Sequence, residues 1–419
     1  MRVLPAVVVA LGLVACSDDG ATSPTLAPAP STTTTVPEPV SDGVLTIGVL
    51  LPDTGPGATL GTGLEDAVVT AAEAVNAAGG VLGSDLELLT GFDEGDGPAT
   101  ARDAVASLID RDVDAVVGPA SSTVALATLG DLLGAGILTC SPTATALSLD
   151  AFPDRALFVR TAPSDSLQAA AIAGEAERTG ARTAAVVYLD DAYGRPLADA
   201  TITALAARGI VVPDPVGFSA VDESLLDEST SVQASEAGVI IVIADAVQGP
   251  RILTSIGEST SVVPGEEPPR IIVNSAMRRA TAPEQIAALA SDVRDRIVGL
   301  APASTNGQPD EPAGAYATNA FDCVNLIALA ATQAGSDDPA DIAPLISDSS
   351  EGGSTCRDFA SCTALLQDGR NIDYEGPGGD VDVGVTGDPT AYPFDRWTYD
   401  EQGIDVPITV PAAAPLPAN

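Results

Sequence analysis

The chain contains no histidine among its 419 residues. Every mechanism built on an imidazole base, a His-ordered triad or a His-held metal is therefore excluded. Aromatic residues make up only 3% of the chain against 45% apolar residues overall, so any core is filled by Ala, Val, Leu and Ile. Basic residues are scarce as well: 18 Lys and Arg stand against 58 Asp and Glu, a formal charge of −40 with no basic block to offset it. A field of that sign repels phosphate backbones, and nucleic acid is excluded as a partner. The plain meaning of the acidity is solubility. Beyond the N-terminus no apolar run reaches the length needed to span a membrane.

What is present at the N-terminus is an export pattern. Met1-Arg2 precedes an apolar stretch from Val3 to Val14, and Leu13-Val14-Ala15-Cys16 follows. The stretch is too short to span and has small residues before a cleavage point, as a signal peptide does. Its ending resembles the bacterial lipobox, which implies cleavage before Cys16, lipidation of that cysteine and an extracytoplasmic protein anchored to the cell membrane. Residues 1–15 are expected to be the signal and 16–43 a Ser/Thr/Pro-rich tether too polar and proline-broken to fold.

A regular alternation begins at Val44. Strands are expected at 44–51, 86–89, 114–117 and 137–139, with helices at 64–78, 98–110 and 123–133 between them. One helix between successive strands means right-handed βαβ units and a parallel sheet. The pattern restarts at Ala156, with further strands at 183–189, 210–212, 239–244 and 271–273 and helices at 166–178 and 195–208. Residues 299–303 cross back to a long Ala/Leu helix at 314–334 and a shorter one at 340–346, and 394–399 reads as a late strand. Length and repetition together predict an α/β protein of two lobes.

Two turns stand out. Val117-Gly118-Pro119-Ala120-Ser121-Ser122 and Cys140-Ser141-Pro142-Thr143-Ala144-Thr145 each carry a buried strand into a hydroxyl-rich turn. In a parallel sheet both fall beyond the carboxyl ends of the strands, where their hydroxyls and free backbone N–H groups form a receptor for a small polar or anionic group. No base or nucleophile lies among them, so no enzyme, cofactor or metal is expected. The competing reading makes Ser122, Thr145 and Asp165 helix caps. Asp93 to Gly97 lacks the closing acid of a calcium loop. The glycines from Gly55 to Gly63 have the wrong spacing for a dinucleotide turn.

Of the remaining cysteines, Cys356 and Cys362 close a small Gly/Ser-rich loop and are expected to be bridged. Cys140 and Cys323 are expected to be buried free thiols.

In order along the chain, Gly48-Val49-Leu50-Leu51-Pro52, Val75-Asn76-Ala77-Ala78-Gly79-Gly80, Val117-Gly118-Pro119, Ser141-Pro142-Thr143-Ala144-Thr145, Arg160-Thr161-Ala162-Pro163-Ser164-Asp165, Asp191-Ala192-Tyr193-Gly194 and Asp373-Tyr374-Glu375-Gly376-Pro377-Gly378-Gly379 resemble the type I periplasmic binding proteins of branched-chain amino-acid ABC importers. The resemblance covers Val44 to the C-terminus. It implies two Rossmann-like lobes, each a parallel sheet flanked by helices, joined by three crossovers near Ala162, Pro302 and Asp373. The lobes would be 44–163 with 303–372, and 164–302 with 373–419. It also implies a monomer that closes on an amino acid or related small polar ligand and delivers it to an ABC permease. The alternative partner is a membrane receptor that reads the closed form.

The resemblance places the pocket residue by residue. Ser122 and Thr145 would meet the ligand carboxylate, the Thr143 carbonyl and Asp165 its ammonium, and Tyr193 would pack on it from the second lobe. The chain departs from the pattern at Leu60, where relatives often carry an aromatic. At Asn274 and Ser275 many relatives have an acid, and Asp245 is the candidate substitute.

Overall fold

The computed structural model describes residues 41–55, 57–95, 97–259, 268–278, 283–303 and 315–408. The expected signal, the Cys16 lipidation site and nearly all of the tether lie outside the described residues.

The first sheet is built by β1 (Thr46–Leu51), α1 (Ala58–Ala77), β2 (Glu87–Asp93), α2 (Pro98–Ile109), β3 (Ala115–Val117), α3 (Ser122–Gly134), β4 (Leu138–Ser141) and β5 (Phe158–Arg160). Its five strands are all parallel, in the order β2-β1-β3-β4-β5. The strand residues of β1, β3 and β4 are almost entirely buried, as expected of a sheet covered on both faces.

The second sheet follows through α4 (Asp165–Arg178), β6 (Ala184–Leu189), α5 (Gly194–Ala207), β7 (Val216–Phe218), α6 (Leu226–Ala234), β8 (Val239–Ile243), α7 (Gln248–Ser259), β9 (Arg270–Val273), the short helices α8 (Pro283–Ala287) and α9 (Ser291–Arg294), and β10 (Ile297–Pro302). The chain then returns to the first lobe with α10 (Ala317–Ala334), α11 (Pro339–Ser350), β11 (Ser354–Cys356), α12 (Phe359–Gln367), β12 (Ile372–Gly376) and β13 (Gly379–Asp380), the last three strands forming a small sheet of their own in the order β11-β12-β13. It ends on the second sheet with β14 (Phe394–Tyr399) and β15 (Asp405–Pro407), which extend that sheet antiparallel to the order β15-β14-β10-β9-β8-β6-β7.

Each of the two large sheets lies between two helical layers. Leu64, Val68, Ala71 and Val75 of α1 pack with Val324, Ile327 and Ala331 of α10 on one face of the first sheet. Val105 and Leu108 of α2 and Leu132 of α3 cover the other. In the second lobe Ile172, Leu197 and Leu205 pack on one face, and Val232, Ile252 and Ile256 on the opposite one. Burying an aliphatic side chain of this kind contributes about 1.5–3 kcal/mol. Among the described residues no helix is long and apolar enough to cross a membrane.

Five expectations need correction. Ile210 to Val212 is not a strand, because only Val211 bridges to Thr183, and β7 comes five residues later. Helices α6 and α7 were not anticipated. The buried positions of α6, Ser229 and Val232, are too few to stand out as an apolar stripe, whereas α7 carries one in Ile252, Leu253 and Ile256 behind a Gly249-Pro250 pair that reads as a turn. The pattern does not restart at Ala156: the strand at 158–160 closes the first sheet, and the second run begins with α4. The third crossover is not near Asp373. Ile372, Tyr374, Val381 and Val383 are buried in the first core, and Asp322 of α10 accepts hydrogen bonds from the Tyr374 hydroxyl and the Gly378 N–H. The chain crosses only between Tyr392 and Phe394. Finally, Cys140 and Cys323 are not free thiols: they form a disulfide that ties the end of β4 to α10. A second disulfide joins Cys356 and Cys362.

Candidate functional site

In the order β2-β1-β3-β4-β5 the connections turn opposite ways on either side of the β1/β3 pair. A crevice therefore opens beyond the carboxyl ends of those two strands. Gly118, with φ +123°, lets the chain leave β3 there; a Cβ at this position would sit 2.0 Å from the Leu50 carbonyl oxygen. A cavity of about 370 Å³ occupies this crevice, lined among others by Pro52, Leu60, Glu94, Ser121, Thr143 and Tyr316. The second sheet repeats the arrangement, its connections reversing between β6 and β8, so Tyr193 and Asp245 both follow switch-point strands.

The two hydroxyl-rich turns do meet, but their groups are not all available. The Thr143 hydroxyl donates to the Ala120 carbonyl at 2.6 Å and the Ser141 hydroxyl to the Pro119 carbonyl at 2.6 Å. Ser121, not Ser122, caps α3 and lines the cavity, accepting from the Val124 N–H. The Ser122 hydroxyl instead accepts from the Ala146 N–H at 3.2 Å and so braces the next turn. The Ala120 and Ser121 N–H groups, expected to be free for an anion, are taken by the Glu94 carboxylate at 2.7 and 3.0 Å. Glu94 is buried, and burial pushes its carboxyl up to about 7 against the pull of those two N–H groups. The Ser122, Thr123 and Thr145 N–H groups have no acceptor among the described residues, and they remain as donors for an anionic group.

Asp165 is the first residue of α4 and lies at the junction of the lobes. Its N–H donates to the Thr145 carbonyl at 2.8 Å, and its carboxylate accepts from Gln168 Nε2 at 2.8 Å. Burial drives the carboxyl up to about 7; hydrogen bonds from Gln168 and Thr145 and the charge of Arg160 oppose this, and Asp150 reinforces it. Gln168 Oε1 in turn accepts the Ser275 N–H at 2.7 Å. The Tyr193 hydroxyl accepts from Asn274 Nδ2 at 3.3 Å, and Asn274 is held by the Ala244 N–H at 3.0 Å. Burial first, and then the Asp165 charge, raises both the Tyr193 and the Tyr316 hydroxyls well above the ordinary range. Both therefore stay protonated as hydrogen-bond donors. Tyr316 also lines a second cavity of about 120 Å³, together with Ser275, Arg278 and Pro302.

Thr145, Asp165 and Tyr193 thus converge, and Asp245 serves as a helix cap. Its Oδ1 accepts the Val247 and Gln248 N–H groups at 2.8 and 2.6 Å and caps α7. Ser121, Gln168 and Tyr316 were missed from sequence. For Ser121 the cap position just before α3 was a usable signal. Tyr316 follows the second crossover and adopts a left-handed φ of 58°, which no local pattern announces.

The comparisons with known proteins agree with this fold. The family described as "Periplasmic binding protein" matches residues 44–259. The chemotactic signal transduction system substrate-binding protein BasB of Halobacterium salinarum is 32% identical over 384 residues, covering 86% of this chain and 88% of that one. The Leu/Ile/Val-binding protein BraC3 of Rhizobium johnstonii is 28% identical, covering 86% of this chain and 93% of its own length. The crystal structure of an ABC transporter substrate-binding protein from Desulfitobacterium hafniense in complex with Leu superposes with a TM-score of 0.66 at 20% identity, over 87% of this chain and 99% of that one.

Proposed function

The chain belongs to the periplasmic binding protein family, and on that premise we propose that it holds an amino acid of branched-chain type, or a related small polar ligand, between its two lobes. The observation that carries this is the convergence of Thr145, Asp165 and Tyr193 where the sheet edges face one another. The ligand carboxylate lies against the Ser122, Thr123 and Thr145 N–H groups and the neighbouring hydroxyls. The ammonium faces Asp165 and the Thr143 carbonyl, and the Tyr193 and Tyr316 rings wall the apolar part. Charge-assisted hydrogen bonds contribute about 1.5–3 kcal/mol each. Two or three of them, with a buried aliphatic group, reach micromolar affinity, about −8 kcal/mol. Bridging both lobes, the ligand favours the closed form by its differential affinity for it.

In this proposal the mature chain is monomeric and anchored through Cys16 on the outer side of the membrane, and residues 16–43 act as its tether. Its partner is an ABC permease. A second reading, in which a membrane receptor takes the permease's place, is favoured by the chemotactic role named for the Halobacterium salinarum relative. Melting the purified mature protein against the twenty amino acids tests the ligand class: at least one should raise Tm by several degrees at 1 mM, about 1,000 times a micromolar Kd. A flat panel contradicts the proposal. Loss of labelled amino-acid uptake on deleting the gene identifies a permease partner. Loss of taxis with uptake intact identifies a receptor.

A further inference from the structure

We infer that Arg160 is a positioning residue, holding the ligand-contacting groups of both lobes from a single buried guanidinium. This inference rests on the roles proposed above for Thr145 and Asp165. Arg160 ends β5, the edge strand of the first sheet, and its side chain is fully buried. Its Nη1 donates to the carbonyls of Ala144 and Ala146 at 3.1 and 3.4 Å, the two residues flanking Thr145. Its Nε donates to Asp388 at 2.7 Å and its Nη2 to Asp150.

Asp150 carries the connection across to the second lobe. Both its oxygens accept from the Ser164 hydroxyl, at 2.9 and 2.8 Å. Ser164 is the cap of α4, its Oγ accepting the Ser166 N–H, and Asp165 is the next residue. The Asp165 N–H then returns to the Thr145 carbonyl. A closed circuit therefore runs from Arg160 through the turn at 144–146 to Asp165, and back through Ser164 and Asp150. The guanidinium's planar fork of five donors serves four acceptors at once, which a lysine cannot do. Moving the guanidinium displaces Thr145 and Asp165 together.

A purely structural support would cost affinity without changing how binding responds to pH. The circuit does change it, because Arg160 and Asp150 act on the Asp165 carboxylate with opposite sign. The hydroxyls of Tyr193 and Tyr316 also face Asp165, but they stay neutral through the range concerned. The test measures the affinity of the mature protein for L-leucine across pH in Arg160→Lys, Arg160→Met and Asp150→Asn. Arg160→Lys keeps the charge and loses the fork, so affinity should fall about tenfold or more with the pH midpoint unmoved. Arg160→Met should move the midpoint up and Asp150→Asn should move it down. If Arg160→Met does not fold, Asp150→Asn still decides, since its side chain is 32% exposed and the change keeps its shape. Wild-type affinity in folded Arg160→Lys, or an unmoved midpoint in folded Asp150→Asn, would overturn the inference. A wild-type protein that binds none of the twenty amino acids at any pH would overturn the underlying reading, and the inference with it.

Discussion

Acidifying the solution should weaken ligand binding steeply, because Asp165 must be ionised to face an ammonium. In the unliganded protein its carboxyl is pushed up to about 7 by burial. At about pH 5 roughly 1% of it is ionised before the ligand arrives, so affinity should lie about 100-fold below its plateau. At about pH 7 the loss should be about twofold, and above about pH 8 none. The unliganded fold has the complementary dependence. The folded chain keeps this proton up to about pH 7, whereas the unfolded chain releases it near 3.8. The native state therefore binds more protons in that window, and its stability falls as pH rises through it, by up to about 4 kcal/mol. Glu94 and Asp114, each raised to about 7 by burial, act in the same direction. The ligand's ammonium offsets the Asp165 part of that cost. Calorimetric titrations at about pH 6, in two buffers of different ionisation enthalpy, should count close to one proton released per ligand bound. Affinity that stays flat from about pH 5 to about 8, with no proton released, would refute the placement of the ammonium on Asp165.

Replacing Thr145, which the proposal sets against the ligand carboxylate, with Val should weaken binding by about 1–3 kcal/mol with the fold intact. The Cys140–Cys323 disulfide spans 183 residues and Cys356–Cys362 only 6. In the chain-entropy account, Ala at both cysteines should therefore cost about 5 kcal/mol at the first bridge and about 2 kcal/mol at the second, read by denaturant unfolding. Gly118→Ala, which puts a Cβ 2.0 Å from the Leu50 carbonyl oxygen at φ +123°, should lower stability by about 2 kcal/mol or more in the same assay.

The inner strands of both sheets were legible because strands buried on both faces read as unbroken apolar runs, as in Val239 to Ile243, whereas the edge strands β7 and β15, only partly buried, were not. Helix α1 was placed but begun six residues late, since Ala58 to Gly63 carries little apolar signal. Helix α6, half-exposed and rich in Ser, gave no such stripe, and the stripe of α7 at Ile252, Leu253 and Ile256 is masked by the Gly249-Pro250 pair in its first turn. Long-range pairings were not legible at all. Neither Cys140 nor Cys323 encodes which strand α10 packs against, and only the folded sheet order brings them together. The site divides in the same way. Thr143, Thr145 and Asp165 lie in short ordered motifs that a sequence reveals. The Glu94 carboxylate that fills two turn N–H groups comes from 26 and 27 residues away, and Tyr316 arrives from beyond the second crossover.

The central claim is that an amino acid is held between the lobes by Thr145, Asp165 and Tyr193. The crystal structure of the mature protein grown with L-leucine tests it most directly. The account predicts one leucine in the crevice beyond β1 and β3, its ammonium on Asp165 and its carboxylate at the Ser122, Thr123 and Thr145 N–H groups. A closed protein with that crevice empty, or a leucine bound away from Asp165, would contradict it.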